Sequence, residues 1–142
     1  MSTKTPEAIA RALFDSLESG DFSTWEAQLA PGFTCSYPGL RGSHGKAAAL
    51  AYNTPFPVGF PDLEFKILAS ARSGDLVYLT WSGTGTHKGP LCTPAGTLPP
   101  TGRSVTLTGV IVVTVTGGLI QREEAYWNVA ELIEPLTAQM AA

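Results

Sequence analysis

The chain has 142 residues, with nine basic and twelve acidic side chains, a net charge of −3 and a charged fraction of only 15%, against about a quarter in globular proteins. That balance does not suit a phosphate backbone, so nucleic-acid binding is excluded as an expectation. The hydrophobic fraction of 44% is ordinary, so the charge deficit lies on the outside and points to an oligomer interface or an enclosed apolar cavity.

Length gives a single domain over residues 1–142. Lys4 is followed by Pro6 and Glu7, not by an apolar run, so no secretory leader is expected. The longest uncharged stretch, from Ser104 to Gln121, carries alternating threonines and Gly109, Gly117 and Gly118. It reads as a strand pair, not a membrane span. A disulfide between Cys35 and Cys92 is conceivable, but two free thiols in a reducing compartment is the simpler reading. The expectation is a soluble, cytoplasmic protein.

The first half reads as helical. Thr5 is an N-cap, Pro6 takes the first helical position, and Ile9, Leu13, Phe14 and Leu17 recur at helical spacing up to Gly20. A second helix begins near Ser23 with Glu26 completing a capping box, and Pro31-Gly32 ends it. Phe33 to Tyr37 is a short strand. Ser43 caps a third helix running to Asn53, which Pro55 and Pro57 terminate. The second half is β: Leu63 to Ala71, a turn at Ser73-Gly74-Asp75, then Leu76 to Thr86. A loop from Lys88 to Gly102 follows, then a hairpin of Val105 to Val115 with Leu119 to Trp127, and a short closing helix from Asn128 to Leu136. Helices followed by antiparallel strands argue for an α+β domain.

Phe60-Pro61-Asp62, Gly85-Thr86-His87-Lys88-Gly89, Pro99-Pro100-Thr101-Gly102-Arg103, Gly109, the Gly118 turn, and Ile120 through Asn128 occur in an order that resembles the SnoaL-like polyketide cyclase family, within the nuclear-transport-factor-2-like superfamily. The resemblance implies a cone-shaped fold, in which three N-terminal helices close the concave face of a bent antiparallel sheet around a deep apolar pocket, with a short C-terminal helix. It also implies a homodimer. Cyclases of this kind close a ring by intramolecular aldol condensation without metal or cofactor, using an Asp at the end of the last strand and a His on the preceding one. Matching on Gly109, Gly118 and Ile120 places these at Asn128 and Thr114, and neither fits. An amide has no useful basicity near neutral pH, so the aldol mechanism does not carry over.

Hairpin register decides which groups share the pocket. A two-residue Gly117-Gly118 turn pairs Thr114 with Gln121. A three-residue loop with a bulge at Gly118 pairs Thr114 with Ile120 and Val110 with Glu124, and puts all even-numbered residues of both strands on one face. That face reads Thr106, Thr108, Val110, Val112, Thr114, Arg122, Glu124, Tyr126 and Asn128. The other reads Val105, Leu107, Ile111, Val113, Val115, Leu119, Ala125 and Trp127. Periodicity alone makes the odd face the core; the family match puts the even face in the pocket and leaves the odd face for a dimer contact.

With the even face inside, Glu124 is the proton carrier, its pKa raised by burial, while Tyr126 donates to an oxyanion and Asn128 orients a carbonyl. The plainer alternative is that Glu124 pairs with Arg122, Arg103 or Lys88 on a solvated rim. Substrate contacts would come from Thr114, Val112, His87, Phe14, Asn53 and Trp81, with Trp25, Tyr52 and Phe56 as further wall. His87 could equally be a strand-end residue that binds the following loop, and His44 a surface residue. No metal-ligand spacing exists, so no metal and no cofactor are expected. The expected activity is an acid/base cyclase or isomerase acting on a small or medium apolar carbonyl compound. The rivals are a non-catalytic apolar-ligand-binding protein or accessory dimeric subunit, and an epoxide hydrolase for which only Arg122 and Glu124 begin to supply a cluster.

Overall fold

The structure, a computed structural model, describes residues 5–93 and 96–137; residues 1–4, which bear on the leader reading, and 94–95 of the Lys88 to Gly102 loop lie outside it. Helix α1 (Pro6–Ser19) starts as its sequence predicts: the Thr5 hydroxyl accepts from Ala8 N at 3.1 Å, and Gly20 ends it at φ 74°. Helix α2 (Phe22–Ala27) begins one residue earlier than the Ser23 reading. The cap is Asp21, whose carboxylate accepts from Thr24 N at 3.1 Å and Thr24 Oγ1 at 2.6 Å.

Strand β1 (Leu29–Ser36) runs through Pro31-Gly32, which the sequence reading treated as a stop. The dipeptide sits where the register shifts between Leu29 and Thr34, so the missing proline N–H breaks no regular ladder. Helix α3 (Lys46–Asn53) is preceded by Gly45, not capped by Ser43. Pro55 does not end the helical region; it opens α4 (Pro55–Gly59), where a lost N–H costs nothing.

Strands β2 (Glu64–Ser73) and β3 (Leu76–Thr86) form a hairpin over Gly74 at φ 59°. The loop that follows holds a small hairpin, β4 (Leu91–Thr93) with β5 (Gly96–Leu98). Strands β6 (Ser104–Thr116) and β7 (Leu119–Trp127) and helix α5 (Val129–Thr137) complete the chain. The main sheet is ordered β1-β7-β6-β3-β2. The α+β class stands, but the sheet is mixed: β1 lies parallel to β7, because these two are joined by most of the chain and not by a hairpin.

Gly117 and Gly118, at φ 63° and 78°, make a two-residue turn pairing Thr116 with Leu119 and Val115 with Ile120. The register then shifts, so that Thr114 faces Arg122, Val112 faces Glu124 and Val110 faces Tyr126. The expected Thr114–Ile120 and Val110–Glu124 pairs are therefore displaced by two. The extra residue is Gln121, not Gly118. Beyond it the even residues of β6 and β7 do share a face.

That even face is the outer one. Val77, Leu79 and Trp81 of β3, Ile111, Val113 and Val115 of β6, and Ile120 of β7 are buried against Ile9, Leu13 and Phe14 of α1. Tyr78, Val110 and Tyr126 stand exposed on the opposite side. Burial of the continuous apolar row decides the matter, at roughly 1.5–3 kcal/mol per large side chain. Gly109 is the break in that row, and Trp81 needs it. A Cβ there would lie 2.6 Å from both Trp81 Cζ2 and the Tyr126 carbonyl oxygen. A second apolar cluster, including Phe60, Leu91 and Leu132, closes the end of the sheet under α5. Cys35 is buried and Cys92 exposed, both as free thiols. Among the described residues no helix is long and apolar enough to cross a membrane.

Candidate active site

Between α1, α3, α4 and the inner sheet face lies a chamber of about 80 Å³. Its walls are almost wholly apolar, with Phe14, Phe65 and Trp81 on one side and Trp127 and Leu132 on the other. One carboxyl group breaks this surface. Glu123 faces inward from β7 at 7% exposure. The Gln121 bulge puts it there: Ile120 before the bulge and Glu123 after it, three residues apart, are both buried on the same face.

Glu123 accepts a hydrogen bond from the hydroxyl of Tyr37, just beyond β1. That hydroxyl in turn accepts from Asn53 Nδ2 at 3.2 Å, while the same amide donates to the Ala49 carbonyl at 2.8 Å. The direction of the chain is thus set: Asn53 gives to Tyr37, and Tyr37 gives to Glu123. Tyr52 stacks on Tyr37 at a ring distance of 4.5 Å and is anchored by its own hydroxyl to Pro38 O at 2.6 Å.

Burial pushes the Glu123 carboxyl up to about 7, against a smaller opposing pull from the Tyr37 hydrogen bond. Burial first, then the neighbouring Glu123 charge, holds both Tyr37 and Tyr52 far above the usual phenol range, so both stay protonated. At neutral pH the site therefore offers a carboxyl that exists in both protonation states, held by a phenol that does not ionise. Such a group can take a proton from carbon and return it elsewhere. Trp81, 6% exposed, has an indole N–H with no partner among the described residues. No three His, Cys, Asp or Glu side chains converge to hold a metal among those residues.

The model of the SnoaL-like domain matches residues 10–123, most of the chain. The chain belongs to the SnoaL-like domain family. Solved structures agree in fold. AclR from Streptomyces galilaeus, a candidate hydroxylase, superposes with a TM-score of 0.82 at 18% identity, covering 96% of this chain and 83% of that one. A candidate SnoaL-like polyketide cyclase from Jannaschia sp. CCS1 gives 0.80 at 21% identity, covering 97% and 99%. IdmH from Streptomyces antibioticus, a candidate polyketide cyclase, gives 0.78 at 23% identity, covering 94% and 99%. No curated protein is significantly similar in sequence.

In this SnoaL-like chain the residues read from the sequence separate into two groups. Phe14, Asn53 and Trp81 line the chamber, as do Tyr52 and Phe56. Glu124 does not. It lies on the outer face, 3.2 Å from Arg122 Nε, with its other oxygen taking the Tyr126 hydroxyl at 2.8 Å. Tyr126 is 56% exposed. Both corrections have one cause: beyond the Gln121 bulge the odd residues of β7 join the buried apolar row, so Glu124 and Tyr126 face out. Thr114 and Val112 share that outer face. Asn128 is also outside, capping α5 through Oδ1 to Ala130 N at 3.0 Å.

His87 is fully buried but away from the chamber walls, with Nδ1 accepting from Thr101 N at 3.3 Å and its backbone paired to Gly102 and Arg103. It fastens the Gly/Pro loop. Trp25 packs in the core. Two residues escaped the sequence reading, Tyr37 and Glu123. Glu123 had a signal: it is the one acidic residue on the β7 face that joins an otherwise apolar row. Tyr37 had none, because its partner lies 86 positions away.

Proposed function

We propose that this chain is a cofactor-independent acid/base enzyme that cyclises or isomerises a small or medium apolar carbonyl compound, with Glu123 as the proton carrier. The observation that carries this reading is a buried carboxyl, titrating near neutrality, set in an apolar chamber and held by one phenol. Glu123 as carboxylate removes a proton from the carbon beside the carbonyl, and as carboxylic acid delivers it to the new position or to the closing oxygen. Tyr37 keeps the carboxylate oriented and stabilises its charged state. Asn53 fixes the phenol. The kinship of fold with structures of candidate polyketide cyclases favours this class of substrate. The epoxide alternative loses its residues, since Arg122 and Glu124 lie outside and no Arg or Lys is among the chamber walls described.

The test reads proton transfer directly. Exchange of the α-protons of 2-tetralone in D2O, followed by NMR, is expected to be accelerated by the wild-type protein and reduced about 100-fold or more in Glu123→Gln. Equal rates in the two proteins would refute the role. The reading includes a homodimer, with a second copy against the outer sheet face. Its support is the low charge content and the exposure of Tyr78, Val110 and Tyr126 together on that face.

A further inference from the structure

We propose that the groove outside the chamber is the seat of the substrate's body, and that only the reacting edge of the substrate enters the chamber; this rests on the acid/base reading of Glu123. The argument begins with size. A dry cavity that takes up a single benzene ring measures about 150 Å³, whereas the chamber around Glu123 measures about 80 Å³. A ring-bearing carbonyl compound does not fit inside it whole.

Next to the chamber is a groove of about 480 Å³. The two spaces share Tyr52, Phe56, Trp127 and Leu132 as common walls. The groove is lined on its far side by Leu40, Ala48, Ala51, Leu91 and Ile133, drawn from the loop after β1, from α3, β4 and α5. Its surface is nearly all apolar. Phe56 and Trp127, which border both spaces, meet edge to face at 6.2 Å. The same residues therefore bound both spaces, and of the two it is the chamber that holds the Glu123 carboxyl. The occupant is an apolar ketone whose ring system is larger than the chamber. Its carbonyl end passes Phe56 and Trp127, and its remaining rings stay in the groove, where they remove apolar surface from water.

Benzanthrone tests this. It is a flat four-ring ketone, has no exchangeable α-proton, and its fluorescence reports an apolar environment. Wild-type protein is expected to bind it, and benzanthrone is expected to inhibit 2-tetralone exchange competitively. Ala51→Trp and Ala48→Phe, which fill the groove from the exposed side of α3, should each weaken benzanthrone at least tenfold and 2-tetralone by a clearly smaller factor. Their melting curves and residual exchange verify that they fold. Equal loss for both ketones, no loss for either, non-competitive inhibition, or absence of benzanthrone binding would each overturn the proposal. So would binding that declines as protein concentration rises, which would assign the groove to a second copy. The two readings fail separately. Glu123→Gln should bind benzanthrone as wild type does, and size-selective binding without any wild-type exchange would sink the Glu123 mechanism while leaving the groove.

Discussion

Glu123 makes the stability of the whole protein depend on pH in an unusual direction. Its carboxyl titrates near 7 when folded, against 4.5 ordinarily, so between those values the folded chain holds a proton that the unfolded chain has released. Stability therefore falls as pH rises through that window, and the loss is complete above the folded value. The full effect is on the order of 3 kcal/mol. Urea unfolding from pH 4 to 8.5 should show this decline in the wild type and a much flatter profile in Glu123→Gln. Tyr37 acts on the same group with a definite sign. Its hydrogen bond lowers the carboxyl pKa, so Tyr37→Phe should move the acid limb of the exchange profile, where the carboxylate forms, to higher pH while reducing the maximal rate. An unmoved limb would show that the phenol does not tune the base. Glu124→Gln, by contrast, removes one partner of a half-exposed pair. It should leave exchange unaltered and cost no more than about 1 kcal/mol.

At the level of elements, two features of the β6–β7 hairpin and its exit settle what the site contains. The first is the bulge. An unbulged two-residue hairpin would pair Val112 with Glu123 and turn that carboxyl to the outer face; one extra residue, Gln121, turns it inward. Side-chain alternation was legible in the sequence, and so was the apolar odd row of β6. The position of the bulge was not, because Gly117-Gly118 is compatible with either a two-residue or a three-residue loop and nothing local marks Gln121 as the residue to be left over. The second feature is Asn128, where the strand ends and α5 begins. Matching to the family put this residue in a catalytic position, yet its side chain does the work of a helix cap. Asn128→Ala should lower stability by about 1 kcal/mol and leave 2-tetralone exchange at the wild-type rate. The α1 limits, both strands of the β3 and β7 hairpins, and the turn at Gly74 were readable because capping, alternation and glycine act over a few residues. Parallel pairing of β1 with β7, and with it the meeting of Tyr37 and Glu123, was hidden because its partners are far apart in the chain.

For the molecule as a whole, the outer sheet face carries threonines, Val110, Tyr78 and Tyr126, and the Arg122–Glu124 pair sits on it. Light scattering should return twice the monomer mass, and Val110→Glu should shift it toward the monomer without loss of helix or strand signal. A wild-type monomer at all concentrations would remove the dimer from the reading. The closing of the sheet has another consequence. One edge of β1 pairs with β7, which is synthesised much later than β1, and that edge waits uncovered until then. The proton-carrying pair thus depends on a long-range pairing, of the kind that closes slowly. Refolding near pH 6 should take up a proton as Glu123 enters its chamber, and that uptake, followed with an indicator dye, should trail the recovery of secondary structure. Competence would then arrive in a single late event, and a chain stalled before it would have nearly all its architecture and none of its chemistry.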